Sequence, residues 1–387
     1  MKKLSPLFLM LVLAVSSTAT ARVNFFSRQS NKNAQSVTVK DNRSNNNTVF
    51  KSVSQDYKQG KISSDSVINI ALYHKVWSPE LAQKILNLIS DTPRGAMELG
   101  VIYAFTPEYS KQASEGVKLL QQAAKSGIND ANAYLGLYYF NHGDYAKAKS
   151  YFDACNPLGY GFGYTAIGSM YMEGKGVKEN IPAARDNYHK AALLGYPRGM
   201  ALYGFNMRAT AGGKVSYPES FFWLYIAGDL GDDAARATLG LSTRGEKRAS
   251  GEVGEKAATA LQFIQAVQAK KIQNDPLYKE GFLPGLKIYE QSAEQGDDWA
   301  RFYLGSMNYN DDFLNRNYAQ ALHYYEPIVQ NAQLPKNVLA TVNRRIAEIY
   351  TQGNGVTKNP EKAAYHNRMA AKLGNLTAYK IVEGISD

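Results

Sequence analysis

Two landmarks recur along this 387-residue chain at a shared interval, and that recurrence limits its fold more than any other property. The first is a bulky residue followed by a small one: Leu99-Gly100, Leu135-Gly136, Ile167-Gly168, Tyr203-Gly204, Leu239-Gly240, Leu304-Gly305 and Ile346-Ala347. Successive pairs lie 36, 32, 36, 36, 65 and 42 residues apart. The second is a small pair followed by glycine, as in Ala123-Ala124…Gly127, Ala154-Cys155…Gly159, Ala191-Ala192…Gly195 and Ala227-Gly228…Gly231. It continues at Ser292-Ala293…Gly296 and Ala370-Ala371…Gly374, with glycine spacings of 32, 36, 36, 65 and 78. Two unrelated markers keep one period through the same irregularities, which is the signature of a repeat array.

Each unit reads as two helices. Helix A carries a small residue, then Leu-Gly, then Tyr three beyond, as in Ala131…Leu135-Gly136…Tyr139. The glycine admits a second helix closely. Helix B carries a bulky residue before its small pair, as in Tyr188…Ala191-Ala192, and its terminal glycine can take the left-handed conformation without steric cost. Asp232-Asp233, Asp297-Asp298 and Asn375 follow such glycines and are expected to cap the next helix A. Neither helix can bury its apolar face alone, so neighbouring units must stack.

Between the helices, Gly174-Lys175-Gly176-Val177 and Gly353-Asn354-Gly355-Val356 form an elongated turn. The string Ile167-Gly168-x-x-Tyr171-x-x-Gly174-x-Gly176-Val177…Tyr188-x-Lys190-Ala191-Ala192-x-x-Gly195 resembles the Sel-one-like repeat (SLR), a relative of the tetratricopeptide repeat with a longer turn. The match recurs from Tyr350 to Gly374 and extends over about 96–240 and 285–380, whereas the unit at 131–159 lacks the Gly-x-Gly-Val turn. The resemblance implies an all-α fold, a right-handed α-solenoid of stacked antiparallel helix hairpins. It also implies protein–protein interaction as the work of the array. Cysteine-rich secreted members staple each hairpin with a disulfide, and this chain, with one cysteine, departs from them.

The chain outside the repeats is expected to divide as follows. Lys2 and Lys3, the apolar Leu4 to Val15 and the small residues Ala19-Thr20-Ala21 read as an export signal over 1–21, in bacterial style, with Arg22 first in the mature protein. The destination expected is the periplasm, and no other stretch is apolar enough to span a bilayer. Residues 22–60, with seven Asn, six Ser and four Gln, read as a disordered basic tail. A first solenoid segment follows over 61–242, including a helix capped by Ser78 with Pro79 and Glu80 in its first turn and running to about Ile89. An irregular joint over 243–283 contains a Gly/Ser-rich stretch and a long amphipathic helix from Glu255 to about Gln273. A second solenoid segment occupies 284–387.

Catalytic constellations are absent from the sequence. His74, His142, His189, His323 and His366 are not paired at metal-ligand spacing, and there is no Gly-x-Ser-x-Gly elbow. Asp311-Asp312 reads as a solvated turn, and Cys155, at a small-residue position of helix B, as a buried, inert thiol. The expected role is therefore non-enzymatic and cofactor-free. The formal charge of +10 shrinks once its location is read: +2 belongs to the signal and +5 to residues 22–60, leaving +3 over 61–387. A nearly balanced body argues against nucleic acid as the partner.

What remains is a surface. Helix A positions off the Leu-Gly-Tyr face would line a concave groove. They are Phe140 and Asn141; Phe162, Thr165, Met172 and Glu173; Arg198, Phe205 and Arg208; and Trp299, Phe302 and Tyr309. Aromatic rings with a few arginines suit a peptide or a glycan better than an acidic polymer, and the resemblance implies a protein partner, in the bacterial envelope or on a host. The alternative is a glycan, with Trp299, Phe302 and Tyr309 stacking on sugar rings.

Overall fold

The computed structural model describes residues 43–75, 78–155, 161–208, 216–241, 277–310, 312–329 and 334–383. Those residues are helical with no strand among them, so the chain is all-α. They fall into two compact units, Met1–Asn180 and Ile181–Asp387. The first holds α1 (Arg43–Lys58), α2 (Ser64–Lys75), α3 (Pro79–Leu86), α4 (Pro93–Phe105), α5 (Ala113–Lys125), α6 (Asn129–Asn141), α7 (Tyr145–Cys155) and α8 (Gly161–Glu173). The second holds α9 (Ile181–Leu193), α10 (Pro197–Arg208), α11 (Tyr217–Leu230), α12 (Asp233–Thr238), α13 (Leu283–Glu294), α14 (Asp298–Tyr309), α15 (Tyr318–Ile328), α16 (Lys336–Gln352), α17 (Pro360–Lys372) and α18 (Leu376–Glu383). Helices pair as hairpins, α4 with α5 and α6 with α7 in the first unit, α10 with α11, α14 with α15 and α16 with α17 in the second.

At four of the bulky-then-small landmarks, Gly100, Gly136, Gly204 and Gly305, the glycine leaves room for helix B. A Cβ on Gly136 would overlap the ring of Phe152, and one on Gly305 would stand 2.5 Å from the ring of Tyr325. At Gly204 the intruding atom is Leu224 Cγ at 2.9 Å, and at Gly100 it is the Gly116 backbone oxygen at 2.9 Å, with Leu120 Cγ next at 3.0 Å. All four helix B side chains are buried. The Gly-x-Gly-Val turns repeat one geometry: Gly174, Gly176, Gly353 and Gly355 have φ of +63°, +70°, +72° and +69°. Each turn closes on helix A, with Asn180 N–H donating to Tyr171 O at 2.9 Å and Asn359 N–H to Tyr350 O at 3.0 Å. Caps fall where the sequence places them. Asp232 accepts from Ala235 N, Asp297 from Trp299 N and Ala300 N, and Asn375 from Ala378 N. Ser78 accepts from Leu81 N, and α3 runs on through a tight turn, Asn87–Ile89.

Two expectations are corrected. The tail expected to be disordered over 22–60 is helical from Arg43, because Val49, Phe50, Val53 and Tyr57 share a face that packs on the apolar cluster of α2 and α3. The compact units meet at Asn180/Ile181; of the joint expected over 243–283 only 277–283 lies within the described residues, where the helical turn Leu277–Phe282 packs on α11. Phe282 lies 5.2 Å from Phe221, and a Cβ on Gly281 would meet Tyr217 O at 2.7 Å. Asp312 is not solvated. Its side chain is 8% exposed and faces the equally buried Arg236 at 3.9 Å. The export signal and the helix expected over 255–273 lie outside the described residues.

The second unit is tied together by a buried ion pair. Arg345 of α16 holds Asp229 of α11 with two hydrogen bonds, Nη1 to Oδ2 at 2.9 Å and Nη2 to Oδ1 at 2.5 Å. The same Nη1 donates to Ser306 Oγ and Tyr325 OH, each at 2.8 Å. Asn310 Nδ2 donates to Oδ1 of the same carboxylate at 3.0 Å. Burial alone would push the Asp229 carboxyl up, but the Arg345 charge and these hydrogen bonds outweigh it and hold it at about 2.

Candidate binding pocket

A depression of about 400 Å³ opens in the second unit, lined by α9, α11, α13 and the start of α14. Local sequence sets each wall. Ser216 caps α11 by accepting from Glu219 N, with Pro218 in the first turn, which fixes Glu219 at the rim. The Glu219 carboxylate then accepts from Tyr203 OH at 2.8 Å. Burial, and after it this hydrogen bond, raise the Tyr203 hydroxyl above its usual range. One helical turn on, Phe222 and Trp223 form the floor, both nearly buried. The Trp223 indole meets the His189 imidazole edge-on at 6.2 Å, and His189 stacks on Tyr203 at 4.6 Å.

The opposite wall comes from two further helices. Tyr289 of α13 stacks on Phe222 at 4.2 Å, and its neighbour Ile288 is left 49% exposed. Asp297 caps α14 and also accepts from Ser292 Oγ at 2.7 Å, so the first turn of that helix is held on three sides. This places Trp299 half-buried at the rim, 5.5 Å from Trp223. The result is an aromatic basin with one exposed aliphatic side chain and two carboxylates, and no lysine or arginine lines it among the described residues. No cluster of three or more metal-ligating side chains occurs among the described residues.

The sequence pattern of the Sel1 repeat family matches residues 93–128, 161–196, 197–232, 300–327 and 342–375. The chain carries five Sel1 repeats. Proteins built on Sel1 repeats generally mediate protein–protein interaction and are typically non-catalytic scaffolds. Among curated proteins, "DAP3-binding cell death enhancer 1" of Rattus norvegicus is 35% identical over 86 residues, 22% of this chain and 17% of that protein. The chain thus spans under a fifth of that relative's length. Among solved structures, a protective antigen present in uropathogenic Escherichia coli strains, displaying an SLR fold, aligns over 78% of this chain and 67% of its own, at 22% identity and a TM-score of 0.38. A Sel1 repeat protein from Oxalobacter formigenes aligns over 84% of this chain and 95% of its own, at 18% identity and a TM-score of 0.33.

Of the twelve groove residues expected from the Sel1 repeat register, one lines this pocket, Trp299. Asn141 is exposed, Met172, Glu173, Phe205 and Tyr309 are half-buried, and the Arg208 side chain lies outside the described residues. The others are corrected to packing roles. Phe162 is buried edge-to-face on Phe152 of the preceding helix B at 5.8 Å, and Thr165 turns its hydroxyl back onto Gly161 O at 2.8 Å. Phe140 is buried against Tyr145, and Arg198 is buried against Asp232 at 3.2 Å. Phe302 is fully buried, and Tyr309 sits at the far end of α14 under the Arg345 guanidinium, 4.8 Å away. The sugar platform of Trp299, Phe302 and Tyr309 is therefore not assembled. The register counting read a face that contacts the neighbouring repeat as an open one. His189, Glu219, Trp223 and Tyr289 were missed because they stand on helix B or its start. The run Phe221-Phe222-Trp223 in a chain with three tryptophans was the signal available.

Proposed function

We propose that this chain is a non-enzymatic adaptor exported to the bacterial envelope, and that it docks a partner protein through the aromatic basin of its second unit. The observation that carries the reading is the combination at one site of half-buried Trp299 and Tyr289 with exposed Ile288. Large rigid rings and an unpartnered aliphatic side chain in a concavity are the usual anchors of protein recognition. The repeats around them belong to a family that works by such contacts. Export is supported by Lys2, Lys3, the run Leu4 to Val15 and Ala19-Thr20-Ala21. Among the described residues no helix is long and apolar enough to cross a membrane.

The test places a photo-crosslinking residue at position 288 in cells and identifies what it captures by mass spectrometry. A discrete protein captured with Trp299 present and lost in W299A, with helical CD unchanged, is the expected result. Capture that persists in W299A removes the basin from the interface. Pelleting of the protein with purified cell-wall sacculi, with no protein captured, replaces the adaptor reading by the glycan one. Fractionation settles the export claim: the recovered protein should begin at Arg22 and appear in the periplasm.

A further inference from the structure

The chemistry of the basin restricts what a partner can insert. Beside the His189 imidazole and the Tyr289 hydroxyl, its ionisable lining groups are Glu219 and Asp297, both acidic, one hydrogen-bonded to Tyr203 and the other to Ser292. Glu219 is half-buried, its carboxylate accepts from the neutral Tyr203 hydroxyl, and no ion pair to it occurs among the described residues. Asp297 accepts from backbone N–H groups and from Ser292, again without a cation. The negative field reaches across the basin. The Tyr289 hydroxyl is raised above its usual range by burial first, and then by the charges of Glu219 and Asp297. A field that opposes a phenolate there favours a cation in the same place.

The walls add a second preference of the same sign. The rings that remain half-buried are Trp299 and Tyr289, and an aromatic face carries negative quadrupole density that attracts ammonium and guanidinium groups. Exposed Ile288 offers apolar surface for a methylene stem. At about 400 Å³ the basin accommodates one or two side chains, not a helix.

We propose that the basin takes one basic side chain, arginine or lysine, projecting from an extended segment of the partner protein, its stem on Ile288 and its charged head between Trp299 and the carboxylates of Glu219 and Asp297. This rests on the adaptor reading and names the feature that the adaptor recognises.

The test uses the full chain and blocked heptapeptides of sequence Gly-Ala-Leu-X-Leu-Ala-Gly, with X arginine, lysine, citrulline, norleucine or glutamate. Binding is followed by tryptophan emission, since two of the chain's three tryptophans line the basin. The arginine and lysine peptides should give a saturable change, with the citrulline, norleucine and glutamate peptides at least tenfold weaker. The double variant E219Q/D297N keeps an oxygen for the Tyr203 hydroxyl and for the α14 cap and turns the Ser292 contact around, the new amide donating to Oγ, so it should fold normally and lose the tenfold preference. W299A should lose the emission change for every peptide. Equal binding of citrulline and arginine, an E219Q/D297N variant that still prefers arginine, or no response to any peptide overturns the proposal. The adaptor reading survives each of these if Trp299-dependent crosslinking persists, so the two can fail separately.

Discussion

Asp229 and Cys155 are both buried, and burial pushes both groups up; only Asp229 has a counter-charge that outweighs it. Asp229 is held at about 2, below the unfolded value of about 3.9, because Arg345 faces it. A carboxyl depressed on folding contributes stability that is fully present above about pH 4 and is lost as pH falls toward 2. The contribution is about 2–3 kcal/mol. D229N leaves the Arg345 charge buried without its counter-ion, which costs about 3–5 kcal/mol at neutral pH. Urea melts at pH 7, 4 and 2.5 should show the gap between D229N and the parent shrinking as pH falls; a constant gap contradicts the assignment. Cys155 has no such partner. Burial pushes its thiol up to about 12, and Sγ donates to Tyr151 O. The folded protein should therefore resist iodoacetamide at pH 8, with alkylation tracking unfolding in guanidinium.

At the scale of the hairpin, the helix A glycines decide the pairing distance. G136A and G305A force a methyl into the Phe152 and Tyr325 rings, and each should cost about 1–3 kcal/mol in guanidinium melts. Gly285 of α13 is the internal control. Its nearest neighbour to an added Cβ is Pro218 at 3.5 Å, so G285A should be neutral or stabilise by up to about 1 kcal/mol. Hairpins, caps and turns were legible in the sequence because each rests on a local requirement: a missing Cβ, an N–H to be accepted, or a positive φ. Helix α1 was hidden because Asn45, Asn46 and Asn47 dominate its first turn, while its apolar stripe gains meaning only against α2 and α3. The pocket was hidden for the same reason. Whether Phe162 or Trp223 meets solvent depends on the neighbouring helix, and no periodicity within one repeat carries that information.

Across the whole molecule, the excess charge lies in residues 22–60, and α1 belongs to that basic stretch as well as to the first core. Deleting the chain before Ser63 should therefore remove charge and stability together. The loss of the Val49, Phe50, Val53 and Tyr57 face should lower the stability of the first unit by about 2–4 kcal/mol, measurable as a fall in Tm. The ion pair between Asp229 and Arg345 has a kinetic consequence as well. Its members are separated by 116 residues, so helix α11 is made long before its counter-ion exists. Until α16 has left the ribosome, a nascent chain presents the Asp229 carboxylate to water and leaves the second unit unfinished. Closure of that long loop then comes late and is slow, as for any contact of high sequence separation. The second unit, held open in this way, can close only once α16 has been made.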